Sequence, residues 1–448
     1  MMKILLINPP RSPHNKILEY APPEAKPFIH KKLIGPPLGL LTVAAALNDH
    51  DVDLLEIKAE YDLNPLAPPL EELVRQYLQK FRPDMVGVTF IASEFNAGIT
   101  ILRTVKEFDP GIWTVAGGLH VTLCPNDFVG TPTDVLIPGY SAQAIFRNLA
   151  DSLDRGLHIE QVGGLLLPVN GMYQPTKAKP LTCNPAAEHF VMPRRSLIRP
   201  WLSTYIVGKA KGPATYLFTS LGCPYRCSFC SIWPQYSGQY LQRDVESVIS
   251  ELKTLDDYEV VRFADANSVV DVPWMDRLFD RIAEEDIKKS YVIDIRPDTV
   301  VENPKLIEKM ARAGLIAAIC GFESFRAREL QKYNKPYAVE NIAQAIDILH
   351  NQGIMVRGNY VIPADYEEAD FQALTDYAHS HRVTYAGYTI LSPMPGTTFY
   401  RQVKDQIIDF DLDKYNFFNC VLKTILPLER FYENVGRLWL IKKGGDVI

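Results

Sequence analysis

The sequence predicts an α/β protein: an N-terminal doubly wound parallel sheet, then a partial (β/α)6 barrel, then a short C-terminal capping region. Three observations predict it. Strand and helix patterns alternate over residues 3–150 and again over about 214–390, as in parallel sheets with crossover helices. The strands are continuous apolar runs such as Lys3-Ile4-Leu5-Leu6-Ile7-Asn8, which suits burial on both faces. The residues able to do chemistry fall just after those strands, where open sheets and barrels carry their functional loops.

Composition sets the limits. The chain has 448 residues, 47% hydrophobic and 22% charged, an ordinary globular balance that excludes disorder over most of its length. With 47 basic and 53 acidic side chains the net charge is −6, which argues against a broad nucleic-acid surface. No apolar run approaches the roughly 18–20 residues needed to cross a bilayer. Met1–Pro10 is apolar but lacks a basic leader and a cleavage site. The expectation is a cytoplasmic protein with no transmembrane segment and no nucleic-acid partner.

The elements follow in order. In the first region, strands are expected at Lys3–Asn8, Val52–Ile57, Asp84–Phe90, Ile112–Ala116 and Val135–Ile137. Helices are expected at Leu38–Asn48, Leu70–Phe81, about Glu94–Phe108 and from Ala142, with a Pro-rich loop over Pro9–Pro37. The ligand loops of such a sheet are then Thr89–Glu94, Ala116–Thr122 and Pro138–Ser141. From about Gly156 to Trp201 glycines and prolines punctuate short apolar pieces, which predicts a connector with a small hairpin. The second region predicts strands at Thr215–Thr219, Val260–Phe263, Tyr291–Ile295, Ile316–Cys320, Met355–Val361 and Tyr385–Ile390. Helices fall near Val245–Leu255, Trp274–Glu285, Pro304–Ala313, Ala338–Asn351 and Asp370–His381. The expected divisions are residues 1–155, 156–205, 206–400 and 401–448.

Seven cysteines, an odd number in a long chain without an export signal, do not suggest a disulfide framework. Three sit in Gly222-Cys223-Pro224-Tyr225-Arg226-Cys227-Ser228-Phe229-Cys230, a C-x3-C-x2-C spacing. Structural zinc wants four ligands, usually as two separated pairs, and no histidine lies within ten residues of the triplet. Three soft thiolates fit a four-iron cluster with one iron left open. Cys124, Cys183, Cys320 and Cys420 share no spacing and read as buried thiols.

C-x3-C-x2-C after the first strand of a half-open barrel, with Phe229 before the last cysteine, resembles the radical S-adenosylmethionine (SAM) superfamily. The resemblance implies a [4Fe–4S] cluster on Cys223, Cys227 and Cys230, with SAM chelating the open iron and being cleaved to a hydrogen-abstracting 5′-deoxyadenosyl radical. Further elements match in order. Gly321-Phe322-Glu323-Ser324 resembles the G-I-E-S element, and Phe263-Ala264-Asp265-Ala266-Asn267 the F-x-D-D element with Ala266 in place of the second Asp. Arg296-Pro297-Asp298 resembles R-x-D, and Pro393-Met394-Pro395-Gly396-Thr397 the P-x-P-G-T turn. SAM contacts are therefore expected from Phe229, Asp265, Arg296, Glu323 and Ser324. Taken singly, Glu323 is equally a strand-end acid and Arg296 equally a partner of Asp298.

Gly117-Gly118-Leu119-His120-Val121-Thr122, the opening strand and Gly35–Leu40 resemble the Rossmann-like cobalamin-binding domain found ahead of many such barrels. The cobalt-ligating D-x-H-x-x-G motif is absent, so the subclass implied binds cobalamin base-off with no histidine ligand. The implied contacts are Thr89, Ser93, Glu94, Gly117, Gly118, His120, Thr122, Gly139 and Tyr140. A second cluster, as in methylthiotransferases, is disfavoured because Cys124 is the only cysteine in the first 150 residues.

The function implied is a class B radical SAM methyltransferase acting on an unactivated carbon and served by a flavodoxin or ferredoxin as electron donor. The short region after the barrel favours a protein or peptide substrate over a small molecule. The alternatives are a non-methylating cyclisation or rearrangement of a lipid or tetrapyrrole, and a non-catalytic cobalamin sensor or carrier. Tyr236, Tyr240, Tyr388 and Arg357 are cavity-lining candidates, with core packing the default for each.

Overall fold

The structure, a computed structural model, describes residues 1–29, 35–140, 142–178, 190–206, 212–381 and 385–441. Ser141 and Cys183 lie outside the described residues. The chain forms two compact units. The first comprises Met1–Pro13, Ile34–Tyr205 and Pro234–Ser237; the second comprises His14–Leu33, Ile206–Trp233 and Gly238–Ile448.

In the first unit five strands run parallel: β1 (Lys3–Asn8), β2 (Asp51–Glu56), β3 (Met85–Thr89), β4 (Trp113–Gly117) and β5 (Val135–Ile137). Their order is β2-β1-β3-β4-β5, so the order reverses between β1 and β3, the position at which doubly wound sheets bind ligands. Successive residues of one strand serve opposite cores. Ile4 and Leu6 join one cluster with Leu41 and Phe146; Leu5 and Ile7 join the other with Val74 and Leu102. That two-sided burial is why these strands read as unbroken apolar runs.

The sheet is not wholly parallel. β6 (Leu166–Val169) and β7 (Met172–Pro175) form a hairpin, and β6 pairs antiparallel with β5 at Leu136↔Leu166. The turn is Asn170-Gly171, both at positive φ (52° and 78°), as a two-residue hairpin turn requires. The expected connector is thus partly an extension of the first sheet. The Pro9–Pro37 loop also holds more order than expected, in short helices at Lys16–Tyr20 and Lys26–Ile29. A further helix, Ile57–Leu63, leaves β2 directly.

In the second unit β8 (Ala214–Leu217), β11 (Val260–Phe263), β12 (Ser290–Ile295), β13 (Leu315–Glu323), β14 (Met355–Ile362) and β15 (Tyr385–Ile390) form a parallel sheet in chain order. β9 (Ser220–Gly222) and β10 (Tyr240–Gln242) form a separate antiparallel pair. The inner floor is Ala214, Val260, Val292 and Ala317, with Ile319 and Met355 packed on it. Arg357 on β14 lies within electrostatic reach of the Tyr216 side chain on β8. Four strand spacings would separate them by about 19 Å in a flat sheet, so the sheet curls as a partial barrel must.

The C-terminal region packs with the early segment of its own unit. Helix Leu428–Leu438 lies against Lys16–Tyr20, with Tyr20 stacked on Tyr432 (5.7 Å). A Cβ on Gly436 would lie 2.7 Å from the Ala21 side chain, so glycine permits that close approach.

Candidate functional site

The loop carrying the three cysteines is gripped on several sides. It leaves β9 at Gly222, and β10 returns alongside, pairing Tyr240 with Gly222. Buried Asp265, just past β11, anchors its start: Oδ1 accepts from the Thr219 and Ser220 amides (2.8 Å each), and Oδ2 from the Thr219 hydroxyl. Burial pushes the Asp265 carboxyl up to about 6 against those hydrogen bonds. Within the loop, the Ser228 amide donates to the Tyr333 carbonyl (3.0 Å), and the Ser228 carbonyl accepts from the Phe399 amide (2.8 Å). Asn334 Nδ2 donates to the Arg226 carbonyl (2.8 Å), and Trp233 Nε1 to that of Cys227 (3.0 Å). Phe229 meets Tyr333 edge-on at 5.7 Å.

Cys227 is buried, and Cys223 and Cys230 are half-buried. Burial pushes all three thiols up, Cys230 to about 11, and Lys335 pulls each back down. Among the described residues, the one group of three whose ligand atoms lie within 4.8 Å of one another is His120, Cys124 and Asp127. The cysteine triplet is not such a group.

Around it stand the other expected residues. Arg296 holds Asp298 with two hydrogen bonds (3.0 and 2.6 Å), and its guanidinium lies 3.8 Å over the Tyr225 ring. It is both the partner of Asp298 and a brace on the cysteine loop. Glu323 ends β13 at φ +60°, after a register shift from Gly321. A non-glycine residue persists there only when its surroundings hold it, and the buried Lys335 ammonium does so from 2.9 Å. Ser324 is turned into its own chain, donating to Glu329 and accepting from the Arg326 amide (3.0 Å).

In the first unit, three loops at the carboxyl ends of β3, β4 and β5 are stitched together. The Phe90 amide donates to the Gly117 carbonyl (2.8 Å), and the His120 amide to that of Phe90 (3.0 Å). Thr122 Oγ1 donates to the Gly118 carbonyl and accepts from the Gly139 amide, both at 2.9 Å. Gly118 has φ +101°, and a Cβ there would lie 2.8 Å from the Phe90 carbonyl oxygen and from Thr89 Oγ1. Around Gly139 a Cβ would meet nothing within 4 Å. Tyr140 stacks on Tyr236 at 5.1 Å.

Ser93 and Glu94 are buried, and Glu94 pairs with Lys58 at 2.6 Å. The His120 ring is buried edge-on to Phe95 (5.2 Å), near Phe128, with Nε2 3.0 Å from Asp127. Asn8 Nδ2 donates to Glu56 at 2.6 Å, and burial pushes the Glu56 carboxyl up to about 7.

Sequence reasoning did not single out Lys335, Tyr225, Tyr333, Trp233, Glu56 or Lys58. A signal existed for Glu56, an acid closing an apolar strand. Lys335 carries none, because its partner Glu323 lies on a different element.

The Radical SAM superfamily profile matches residues 217–378, and the B12 binding domain profile matches residues 28–146. An uncharacterized methyltransferase of Pyrococcus horikoshii is 27% identical over 421 residues, 91% of this chain and 88% of the relative. The hopanoid C-3 methylase of Methylococcus capsulatus is 25% identical, covering 88% of this chain and 74% of its own. The anaerobic magnesium-protoporphyrin IX monomethyl ester cyclase of Rubrivivax gelatinosus is also 25% identical, over 83% and 68%. The fold matches the radical SAM methyltransferase TsrM of Kitasatospora setae, solved with cobalamin and a [4Fe–4S] cluster, with a TM-score of 0.70 at 18% identity over 97% of this chain and 85% of that one. The chain thus carries a match to the B12 binding domain ahead of a match to the radical SAM superfamily, and over most of its length it is similar to methyltransferases.

Proposed function

We propose that this protein is a cobalamin-dependent radical SAM methyltransferase acting on carbon. The observation that carries it is the cysteine loop: three thiols on one braced loop after the first strands of a parallel barrel sheet, each within the electrostatic reach of the Lys335 ammonium. Cys223, Cys227 and Cys230 would hold a [4Fe–4S] cluster, since soft thiolate sites select such clusters and three leave one iron for another ligand. The cradle in the first unit fits a large flat ligand. Its glycines let backbone approach closely, and the space above Gly139 is open. When bound, the cluster with SAM supplies reductive cleavage to a hydrogen-abstracting radical, and the corrinoid supplies the methyl group.

The chain's own residues position and insulate. Lys335 offsets thiolate charge in a buried site, which favours deprotonated ligands. Arg296, Glu323 and Phe229 stand around the cluster loop as the nearest groups for SAM. Asp265 and Ser324, whose oxygens are committed to protein donors and acceptors, hold the loops to which those groups belong. Gly117, Gly118, Thr122 and Gly139 present the backbone of three loops as one surface for cobalamin, with Thr89, Ser93, Glu94 and Tyr140 at its rim. Burial of the His120 ring against Phe95 and Asp127 supports base-off binding without a histidine ligand. The relatives' names, which include hopanoid and bacteriochlorophyllide d methylases, favour a small-molecule substrate over a peptide. A flavodoxin or ferredoxin is the class of electron donor that suits such a cluster.

The test uses SAM with a trideuterated methyl group, anaerobically reconstituted protein and extracts of a strain lacking the gene. In the expected product one substrate hydrogen is replaced by CD3: unlabelled SAM adds the mass of one CH2, and labelled SAM adds that increment with three further deuterium-for-hydrogen exchanges. The variant with Cys223, Cys227 and Cys230 all changed to Ala should bind no cluster and form no product; retained turnover overturns the assignment. The cyclase relative supports a second reading, which predicts a mass change with no deuterium in the product.

A further inference from the structure

The concave face of the barrel sheet carries a charged layer above its apolar floor. Side chains two apart on a strand share a face. Floor residues Ala214, Val260, Val292 and Met355 therefore put Tyr216, Arg262, Asp294, Arg357 and Asn359 on that same inner face. Within the layer Arg262 pairs with Asp294: its Nη2 lies 2.8 Å from the carboxylate, and its guanidinium lies 5.5 Å from the Tyr216 ring centre. Arg357 makes no hydrogen bond or ion pair with any described residue. Burial presses its pKa below the usual guanidinium value, and the neighbouring Arg262 presses it further; Asp294 opposes both.

A half-buried guanidinium without an acceptor carries a desolvation cost that no partner offsets. Asn359, two residues on along β14, also makes no side-chain hydrogen bond among the described residues. The facing position on β15 is Gly387, where a Cβ would lie 2.6 Å from Asn359 Oδ1 and 3.6 Å from Arg357 Nη2. Glycine keeps that wall clear of the two side chains. Two arginines against one aspartate leave the layer with one uncompensated positive charge, at the end of a planar donor fork with an amide beside it.

We propose that Arg357 and Asn359 form an oxyanion anchor for the substrate, so that the substrate of the methyl transfer proposed above, on which this rests, is an acid bearing a carboxylate, phosphate or phosphonate rather than a neutral lipid. The fork matches two oxygens of such a group, and a point charge does not. The reacting carbon then lies further up the lumen, toward the cysteine loop, while the acid is held in the layer below.

The test is equilibrium binding to the full cluster-loaded chain, using phenylacetate, phenylacetamide and methylphosphonate as probes and ligand-observed NMR as readout. The acids should bind at least about tenfold tighter than the amide, and Arg357→Gln should remove that preference, as loss of a charged hydrogen bond implies. SAM affinity of the same variant should stay within about twofold of the parent, since the anchor serves the substrate and each tenfold is only about 1.4 kcal/mol. Should Arg357→Gln fail to fold, Asn359→Leu must still weaken the acids and spare the amide. Equal binding of acid and amide overturns the anchor. So does a fall in SAM affinity, which would assign the guanidinium to the SAM carboxylate. A positive result separates phosphonate from carboxylate by which acid binds tighter. Because no turnover is measured, failure of methyl transfer in the deuterium experiment leaves this outcome readable on its own.

Discussion

Asp265→Ala should unseat the start of the cysteine loop, and Asp265→Asn should not. The carboxylate takes two backbone amides on Oδ1 and one hydroxyl on Oδ2, all buried. Alanine orphans three donors, each costing roughly 1–3 kcal/mol, so the loop loses at least about 3 kcal/mol. Asparagine keeps both amide bonds on its own Oδ1, and the Thr219 hydroxyl can turn to accept from its Nδ2. It also sheds a buried charge. With the folded pKa near 6 against an ordinary 3.8, that charge costs about 3 kcal/mol at pH 7, which offsets the weaker neutral hydrogen bonds. Asparagine should therefore be within about 1 kcal/mol of the parent. Hydrogen exchange of peptides covering residues 217–222 reads the difference: the Thr219 and Ser220 amides should exchange about a hundredfold faster in the alanine variant. Iron per chain after reconstitution should fall with it. If asparagine is as damaging as alanine, the charge itself is needed and the bracing argument fails. If alanine is harmless, these hydrogen bonds do not hold the loop.

Three further outcomes follow from the same reasoning. Burial raises the Glu56 carboxyl to about 7, so its contribution is present below the ordinary carboxylate pKa and lost as pH rises through 7. Glu56→Gln should then be more stable than the parent by about 3 kcal/mol at pH 8 but by under about 1 kcal/mol at pH 5, read by urea unfolding; a pH-independent difference contradicts it. Lys335→Met leaves Glu323 buried and unpaired and should cost about 3–5 kcal/mol. It should also lower the midpoint potential of the reconstituted cluster, since a cation beside the sulfurs favours the reduced form, and a redox titration followed by EPR that shows no shift counts against the placement. Gly118→Ala meets backbone 2.8 Å from its new Cβ at φ +101° and should weaken hydroxocobalamin binding at least about tenfold, measured by absorbance of corrinoid retained through gel filtration.

Strands whose two faces are both buried announced themselves. Lys3–Asn8, Val135–Ile137, Val260–Phe263 and Tyr385–Ile390 begin and end where their apolar runs do, because hydrophobic patterning is a property of neighbours in the chain. The amphipathic helix Leu70–Phe81 did the same. The cysteine spacing was equally local: three thiols within eight residues need only one loop to come together. Burial periodicity is silent where a short segment borrows its stability from afar. The helices at Lys16–Tyr20 and Lys26–Ile29 were missed for that reason; the first leans on Tyr432 and on the Phe418 carbonyl, some four hundred residues away. The hairpin was expected but its place on β5 was not, because its Asn-Gly turn says that two strands pair with each other, not which sheet edge receives them.

Side-chain partnership lies further still from local pattern. Glu323 was visible as an acid at a strand end, but Lys335 became its counter-ion only once the chain beyond β13 turned back. Arg357 and Arg262 are 95 positions apart and were unrelated residues until the sheet curled and set both on one inner face. Residue types and spacings, then, were enough for the two α/β regions and for the placing of three cysteines on one loop, since each depends on residues a few positions apart. Which charges are neutralised and which one is left over depends on distances through space between strands far apart in the chain, and only folding creates those distances.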